Sequence, residues 1–220
     1  MGETVIRQCA PNQIEPSSMA IIDAEVPNKP FSGLKWLIAR RMVHTTADFD
    51  LLNHIVFSSG AVEAGMKALE QGCVIYTDTQ MARMGIPLRR MTPLGCDVRC
   101  LLGDPRGEAM ARKNATTRTR ASVDLALEEH GLGSGTIYVI GNAPTALIRL
   151  VELVHAGKAR PALIVGMPVG FVNAAESKEI LMAQDRVPFI TIRGRKGGSA
   201  LAACVINQMA HCLLEGCDEA

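Results

Sequence analysis

The sequence predicts an α/β fold in which a mainly parallel sheet of five strands is covered by helices on both faces. Two observations carry this reading. From about Cys73 onward, short β-rich runs alternate with longer segments whose apolar residues recur at helical spacing, the pattern of a sheet built from strand–helix crossovers. The chain also has 220 residues, 48% of them hydrophobic, enough to bury a core in one domain. No repeat, low-complexity tract or charged linker divides it, so residues 1–220 read as a single domain.

Before the first strand, residues 19–24 read as a short helix capped by Ser17 or Ser18. Residues 34–44 and 61–69 are periodic as helices, the second started by Ser58, Ser59 and Gly60. Strands are expected at 73–76, 98–102, 136–140, 162–165 and 189–192. Helices follow at 121–130, 143–156, 175–184 and 199–214, with Gly131, Gly157 and Gly216 standing where helices stop. Residues 1–14 and 213–220 read as flexible tails.

Composition excludes several classes of function. Lys plus Arg number 23 against 22 Asp plus Glu, and aromatics make up only 4%, which is unlike a nucleic-acid binder with its basic surface or stacking platforms. The longest apolar stretches, 162–165 and 200–206, fall far short of the ~20 residues of a membrane span. The first six residues lack the order of an export signal, so a cytoplasmic location is expected. Seven cysteines (Cys9, Cys73, Cys96, Cys100, Cys204, Cys212 and Cys217) are odd in number and irregularly spaced, which reads as free thiols. Cys96 and Cys100 lack the second ligand pair that a structural zinc needs, so no metal site is expected.

The strand exits are the most informative local feature. They are Thr77-Asp78-Thr79, Gly103-Asp104-Pro105-Arg106, Gly141-Asn142-Ala143-Pro144-Thr145, Gly166-Met167-Pro168-Val169-Gly170 and the Gly-rich basic segment 193–199. Ligands of open parallel sheets bind outside the carboxyl ends of the strands, so these exits point to a crevice there. Tight turn geometry explains the glycines at 141 and 166–170 equally well. Asp104 and Glu176 read as caps, and Arg195 and Lys196 as either an exposed pair or anion contacts. Gly131, Gly133 and Gly135 precede a strand and so do not form a dinucleotide fingerprint; residues 194–199 lack P-loop spacing.

Among five histidines, His130, His155 and His211 lie near helix ends and suit the helix dipole, while His54 sits among Leu51, Leu52, Ile55 and Val56 as a packing residue. His44 differs: Arg40-Arg41 precede it and Thr45-Thr46-Ala47-Asp48 follow where a helix ends. From pattern alone the arginines could equally be a solvated face and Asp48 a cap.

The blocks Arg41-Met42-Val43-His44-Thr45-Thr46-Ala47-Asp48-Phe49-Asp50, Ile75-Tyr76-Thr77-Asp78-Thr79, Gly141-Asn142-Ala143-Pro144-Thr145, Gly166-Met167-Pro168-Val169-Gly170-Phe171-Val172 with Ala174-Ala175-Glu176-Ser177-Lys178, and Gly194-Arg195-Lys196-Gly197-Gly198-Ser199 resemble the signature blocks of the precorrin-8X methylmutase family. They occur in the family's order from about Pro16 to Ala210. The resemblance implies a three-layer α/β/α flavodoxin-like fold and a homodimer with active sites at the subunit interface. It implies a cobalamin-biosynthesis isomerase that moves a methyl group from C-11 to C-12 of a corrin precursor, without a cofactor.

The family's proton donor and acceptor falls on His44, and its substrate contacts on Ser18, Arg41 and Arg118. Thr77, Asp78, Asn142, Arg195 and Lys196 at the strand exits are further candidate substrate contacts. Thr119-Arg120 departs from the small and apolar residues usual after that arginine. The His-Thr-Thr-Ala-Asp-Phe-Asp, Ile-Tyr-Thr-Asp-Thr and Gly-Arg-Lys-Gly-Gly-Ser blocks are closer to the cobalt-precorrin-8 branch than to the metal-free one. A reading of another class is a non-catalytic tetrapyrrole carrier. For a polycarboxylate macrocycle, Arg41, Arg118, Arg193, Arg195 and Lys196 are expected to gather around the ligand, with acidic residues elsewhere.

Overall fold

The computed structural model describes residues 9–217. The first eight residues, on which the expected lack of an export signal rests, and the last three lie outside the described residues. In chain order the elements are α1 (Ile14–Glu25), α2 (Gly33–Thr46), β1 (Ile55–Phe57), α3 (Ala61–Glu70), β2 (Val74–Thr77), α4 (Gln80–Gly85), α5 (Leu88–Met91), β3 (Asp97–Arg99), α6 (Pro105–Lys113), α7 (Arg118–His130), β4 (Thr136–Ile140), α8 (Pro144–His155), β5 (Leu163–Gly166), α9 (Ala174–Met182), β6 (Phe189–Ile192) and α10 (Ser199–Glu215).

The strands form one sheet in the order β1-β6-β5-β4-β2-β3. The last five are mutually parallel, and renumbered among themselves they run 2-1-3-4-5, the doubly wound flavodoxin-like order. The sheet has six strands where five were expected. The addition, β1, lies antiparallel on the edge with Ile55 opposite Ile192. Three residues of Ile-Val-Phe carry too little periodicity to be told from packing residues, and the strand exists because β6 offers it an edge.

Alternation along the strands divides the core in two. Ile75, Ile137, Val139, Leu163, Val165, Ile190 and Ile192 face a layer containing α1, α2, α3 and α10. Tyr76, Tyr138, Ile140, Ile164 and Phe189 face α7, α8 and α9. The result is three layers, with α2 and α7 on opposite faces of the sheet.

Three further expectations change. Ser17 and Ser18 do not cap α1, which begins earlier at Ile14; Ser18 lies inside it and donates its Oγ–H to the Ile14 carbonyl at 2.9 Å. The tails are shorter than expected, because a 3₁₀ turn at Pro11–Gln13 leads into α1 and α10 runs to Glu215. The thiols are not all free: Cys212 and Cys217 form a disulfide, a local closure across the end of α10 that an irregular cysteine spacing does not announce. Among the described residues, no helix is long and apolar enough to cross a membrane.

Candidate active site

His44 stands in the last turn of α2 because of how that helix is built and stopped. Trp36, Leu37, Ile38, Ala39, Met42 and Val43 are buried where α2 packs against α10 and α1, leaving Arg41 and His44, three residues apart, on a neighbouring stripe. Thr45 and Thr46 then turn their hydroxyls back to the Arg41 and Met42 carbonyls at 2.8 and 3.0 Å, and Ala47 ends the helix in the left-handed region at φ 53°. Helix α1 is fastened over α2 by Asp23, which accepts from the Trp36 indole N–H at 2.9 Å and pairs with Arg40. This satisfies a buried Trp that would otherwise carry an orphaned donor.

Between α1 and the end of α2 lies a cavity of about 230 Å³ lined by Ser18, Ile21, Ile22, Glu25, Val43, His44, Ala47 and Phe49. An exposed imidazole, one hydroxyl and the acidic side chain of Glu25 thus share an otherwise apolar shelf. Pockets that bury a drug-sized ligand usually run ~300–1,000 Å³, so this cavity has room for the edge of a large flat ligand and not for the whole of it. Arg41 faces the adjoining cleft, where its Nη2 pairs with Glu15 at 2.6 Å and its Nε donates to Gln208 at 3.0 Å. The Arg41 hydrogen bond holds the Glu15 carboxyl below the usual carboxylate range. A ligand carboxylate reaching Arg41 would take the place of Glu15.

Past Ala47, Asp48 caps a 3₁₀ turn, Phe49–Asn53, by accepting from the Asp50 N–H at 3.0 Å. Lys196, in the exit loop of β6, donates to Asp48 at 2.6 Å and to Asp50 at 2.8 Å. Hydrogen bonds from Lys196, then Asn53, bring the Asp50 carboxyl down to about 2. His54 Nε2 lies 3.2 Å from Asp50, and the His54 carbonyl accepts from the Arg193 N–H at 2.9 Å. The segment after His44 is therefore stitched to the carboxyl end of β6.

The crevice between β2 and β4, where the strand order reverses, is filled by the protein itself. Asp78 is buried, and its carboxylate accepts from the backbone N–H groups of Gly141, Asn142 and Ala143 at 3.1, 2.8 and 2.7 Å. Burial pushes its carboxyl up while those three amides pull it down. Thr77 is equally buried and donates to the Thr79 and Arg99 carbonyls. A Cβ on Gly141 would come within 2.5 Å of Ser199 Cα, and one on Gly197 within 2.2 Å of the Met167 carbonyl oxygen. These exits are interlocked backbone, leaving the exposed Asn142 side chain as the part of this corner that faces outward.

The expected gathering of cations is not found within one chain. Arg118 opens α7 on the far face of the sheet, paired with Glu108 at 3.2 Å; Arg193 lies 3.8 Å from Glu179. The guanidinium of Arg195 stacks 5.5 Å over the Phe171 ring. Acidic partners stand beside Arg41, Arg118, Arg193 and Lys196, contrary to the expectation that they lie elsewhere. A near-neutral chain supplies a carboxylate for nearly every cation, and pairing is invisible in a count. Arg120 is engaged by Glu152 at 2.6 Å, so this charged residue has a partner within the chain. His130 is more than a helix-end residue: its Nδ1 lies 2.6 Å from the Tyr76 hydroxyl, and its Nε2 lies 3.0 Å from Arg99. Among the described residues no cluster of three His, Cys, Asp or Glu could hold a metal ion.

The family model described as precorrin-8X methylmutase matches residues 13–212. The chain is 42% identical over 210 residues to a protein of Salmonella typhimurium named cobalt-precorrin-8 methylmutase, covering 93% of this chain and 97% of that one. It is also 42% identical over 201 residues to a precorrin-8X methylmutase of a Sinorhizobium species, covering 91% and 94%. A solved precorrin-8X methylmutase structure from Thermus thermophilus superimposes with a TM-score of 0.86 at 43% identity, covering 95% of this chain and all of the other.

Proposed function

The chain belongs to the precorrin-8X methylmutase family, and from that premise we propose that it is a cytoplasmic isomerase of cobalamin biosynthesis, moving a methyl group from C-11 to C-12 of cobalt-precorrin-8 to give cobyrinate. The observation that carries the reading is the placement of His44 and Ser18 in the lining of one largely apolar cavity, with Arg41 one turn away. The migration is intramolecular and needs no external nucleophile, so the protein's contribution is to hold the macrocycle and to make its π system electron-poor. A proton placed on the ring edge does the second. Imidazole, with an unperturbed pKa of ~6.5, can give that proton and take it back near neutral pH. His44 is the group set to do this, and the forked guanidinium of Arg41 suits a peripheral carboxylate.

The shelf also supports a homodimer with its sites at the subunit interface. A cavity of about 230 Å³ leaves most of a corrin uncovered. Arg118 and His44 are carried by helices on opposite faces of the sheet, an arrangement that suits a ligand taking Arg118 from a second copy. Exposed Ile21 and Phe49 at the rim are apolar surface that a partner and substrate together would cover.

A single-turnover absorbance assay tests this, run with cobalt-precorrin-8 and in parallel with metal-free precorrin-8X. Conversion to the corrin spectrum is expected, faster with the cobalt form. A shift that saturates with binding and never proceeds to product would make the protein a tetrapyrrole carrier. Preferential turnover of the metal-free form would make hydrogenobyrinate the product.

A further inference from the structure

One buried cation has no role in the reading above. Lys178, in α9, is 0% exposed, although lysine is almost never fully buried without a charged partner. Among the described residues its ammonium forms no ion pair with a carboxylate within 4.0 Å. Instead Nζ donates to the backbone carbonyl of Lys196 at 2.6 Å. Burial brings it down to about 8. A buried ammonium held by a single carbonyl is an expensive way to fasten a loop, and the identity of that carbonyl suggests what the arrangement achieves.

Lys196 is the residue whose side chain grips Asp48 and Asp50. Its loop is held on the other side by Gly198 N–H to the Met167 carbonyl at 3.0 Å and Gly170 N–H to the Arg195 carbonyl at 3.2 Å. Gly197 lies so close to Met167 and Pro168 that no side chain fits. The chain of contacts runs from the Lys178 ammonium to the Lys196 backbone, and through the Lys196 side chain to Asp50 and to Asp48, which lies just past the end of α2 and four residues beyond His44.

We infer that Lys178 is a positioning residue for His44, acting through Lys196: it fixes the β6 exit loop so that the Lys196 ammonium holds the segment after α2 and, with it, the imidazole against the shelf. The inference rests on His44 being the acid–base group. A misplacement of ~1 Å arising away from the chemistry can lower a rate by about 100-fold, so a loop anchor can have a large effect without touching substrate.

The test compares Lys178→Met, Lys196→Met and the double variant in steady-state turnover, with product affinity from absorbance titration. Lys178→Met is expected to lower kcat about 10- to 100-fold while KM and product affinity stay within about threefold. The double variant should be no slower than the slower single variant, because both act through one chain of contacts. Multiplying losses, or a Lys178→Met enzyme with unchanged kcat, would overturn the inference.

If Lys178→Met does not fold, the exposed end of the same chain serves. Asp48→Asn combined with Asp50→Asn should reproduce the fall in kcat without disturbing the core, and unchanged kcat in that folded variant counts equally against the inference. His44→Ala run alongside separates the two levels. Turnover surviving in His44→Ala overturns the functional reading itself, whereas its loss in His44→Ala with normal rates in the loop variants overturns the positioning role alone.

Discussion

The two corners at the carboxyl edge of the sheet make opposite use of the same chemistry. Between β2 and β4, three backbone N–H groups converge as they would on a bound anion, and Asp78 occupies that place. Between β6 and the end of α2, the carboxylates and the ammonium that meet are exposed, and beside them an imidazole and a hydroxyl stand on an apolar shelf. The first corner locks loops together; the second leaves polar groups available at the surface. A topological switch point is therefore a place where a ligand can bind, and in this chain the protein's own carboxylate binds there.

The contrast can be broken most directly at His44. His44→Ala should lower turnover by ~10²- to 10⁴-fold with product binding and the urea unfolding midpoint nearly unchanged, since the side chain is exposed. At the other corner, Asp78→Ala leaves three inward N–H groups without an acceptor and should cost about 2–4 kcal/mol of stability, read from urea denaturation. Turnover per folded molecule should stay within about threefold. If the folded Asp78→Ala protein lost turnover and His44→Ala kept it, the two corners would have to exchange roles.

A mixing experiment sharpens the comparison across the sheet. Arg118→Ala alone should be poorly active, and an equal mixture with His44→Ala should recover roughly a quarter of native activity. In a twofold dimer half of the molecules are then hybrids with one intact site each. No recovery after subunit exchange would place Arg118 outside the partner's site.

The smallest effect is on pH dependence. Asp50 and Glu15 have lowered folded-state values, so they contribute stability above their ordinary range near pH 4 that is lost as the pH falls; for Asp50 the loss runs down to about 2. The two carboxylates raise Lys196, so its contribution is complete below its ordinary value and lost as the pH climbs through the raised one. The unfolding midpoint of Asp50→Asn should accordingly fall less than the native one between pH 5 and 2. The difference should shrink in high salt, as expected of exposed pairs.

Much of the fold is legible from the chain. Strands at 136–140 and 189–192 and the helices from α7 to α10 are readable because each carries enough residues for its period to emerge and a glycine or polar turn to end it. β1 is not, since three residues have no period of their own and the strand is made by an edge supplied from more than 130 positions away. Among the candidate site residues, His44 is legible through its block. The partnership of Asp78 with the 141–143 amides is not, because a carboxylate at a strand exit looks the same whether it awaits a ligand or satisfies the backbone. The burial of Lys178 is illegible for a related reason: a lysine on a helix is normally solvated, and no neighbour in sequence signals that its ammonium is buried.

By itself the sequence determined the alternation of strands and helices, the family and the candidate histidine, all of which are encoded in local period, turn chemistry and motif. Only the tertiary structure decided which polar groups were already partnered. It set Glu15 on Arg41, Asp78 on the amides, Lys196 between two aspartates and Lys178 on a carbonyl, and it put Arg118 across the sheet from His44. Hydrogen bonds and ion pairs act over about 3–4 Å in space, whatever the separation along the chain. A count of charges therefore could not anticipate which of them remained free to meet a substrate.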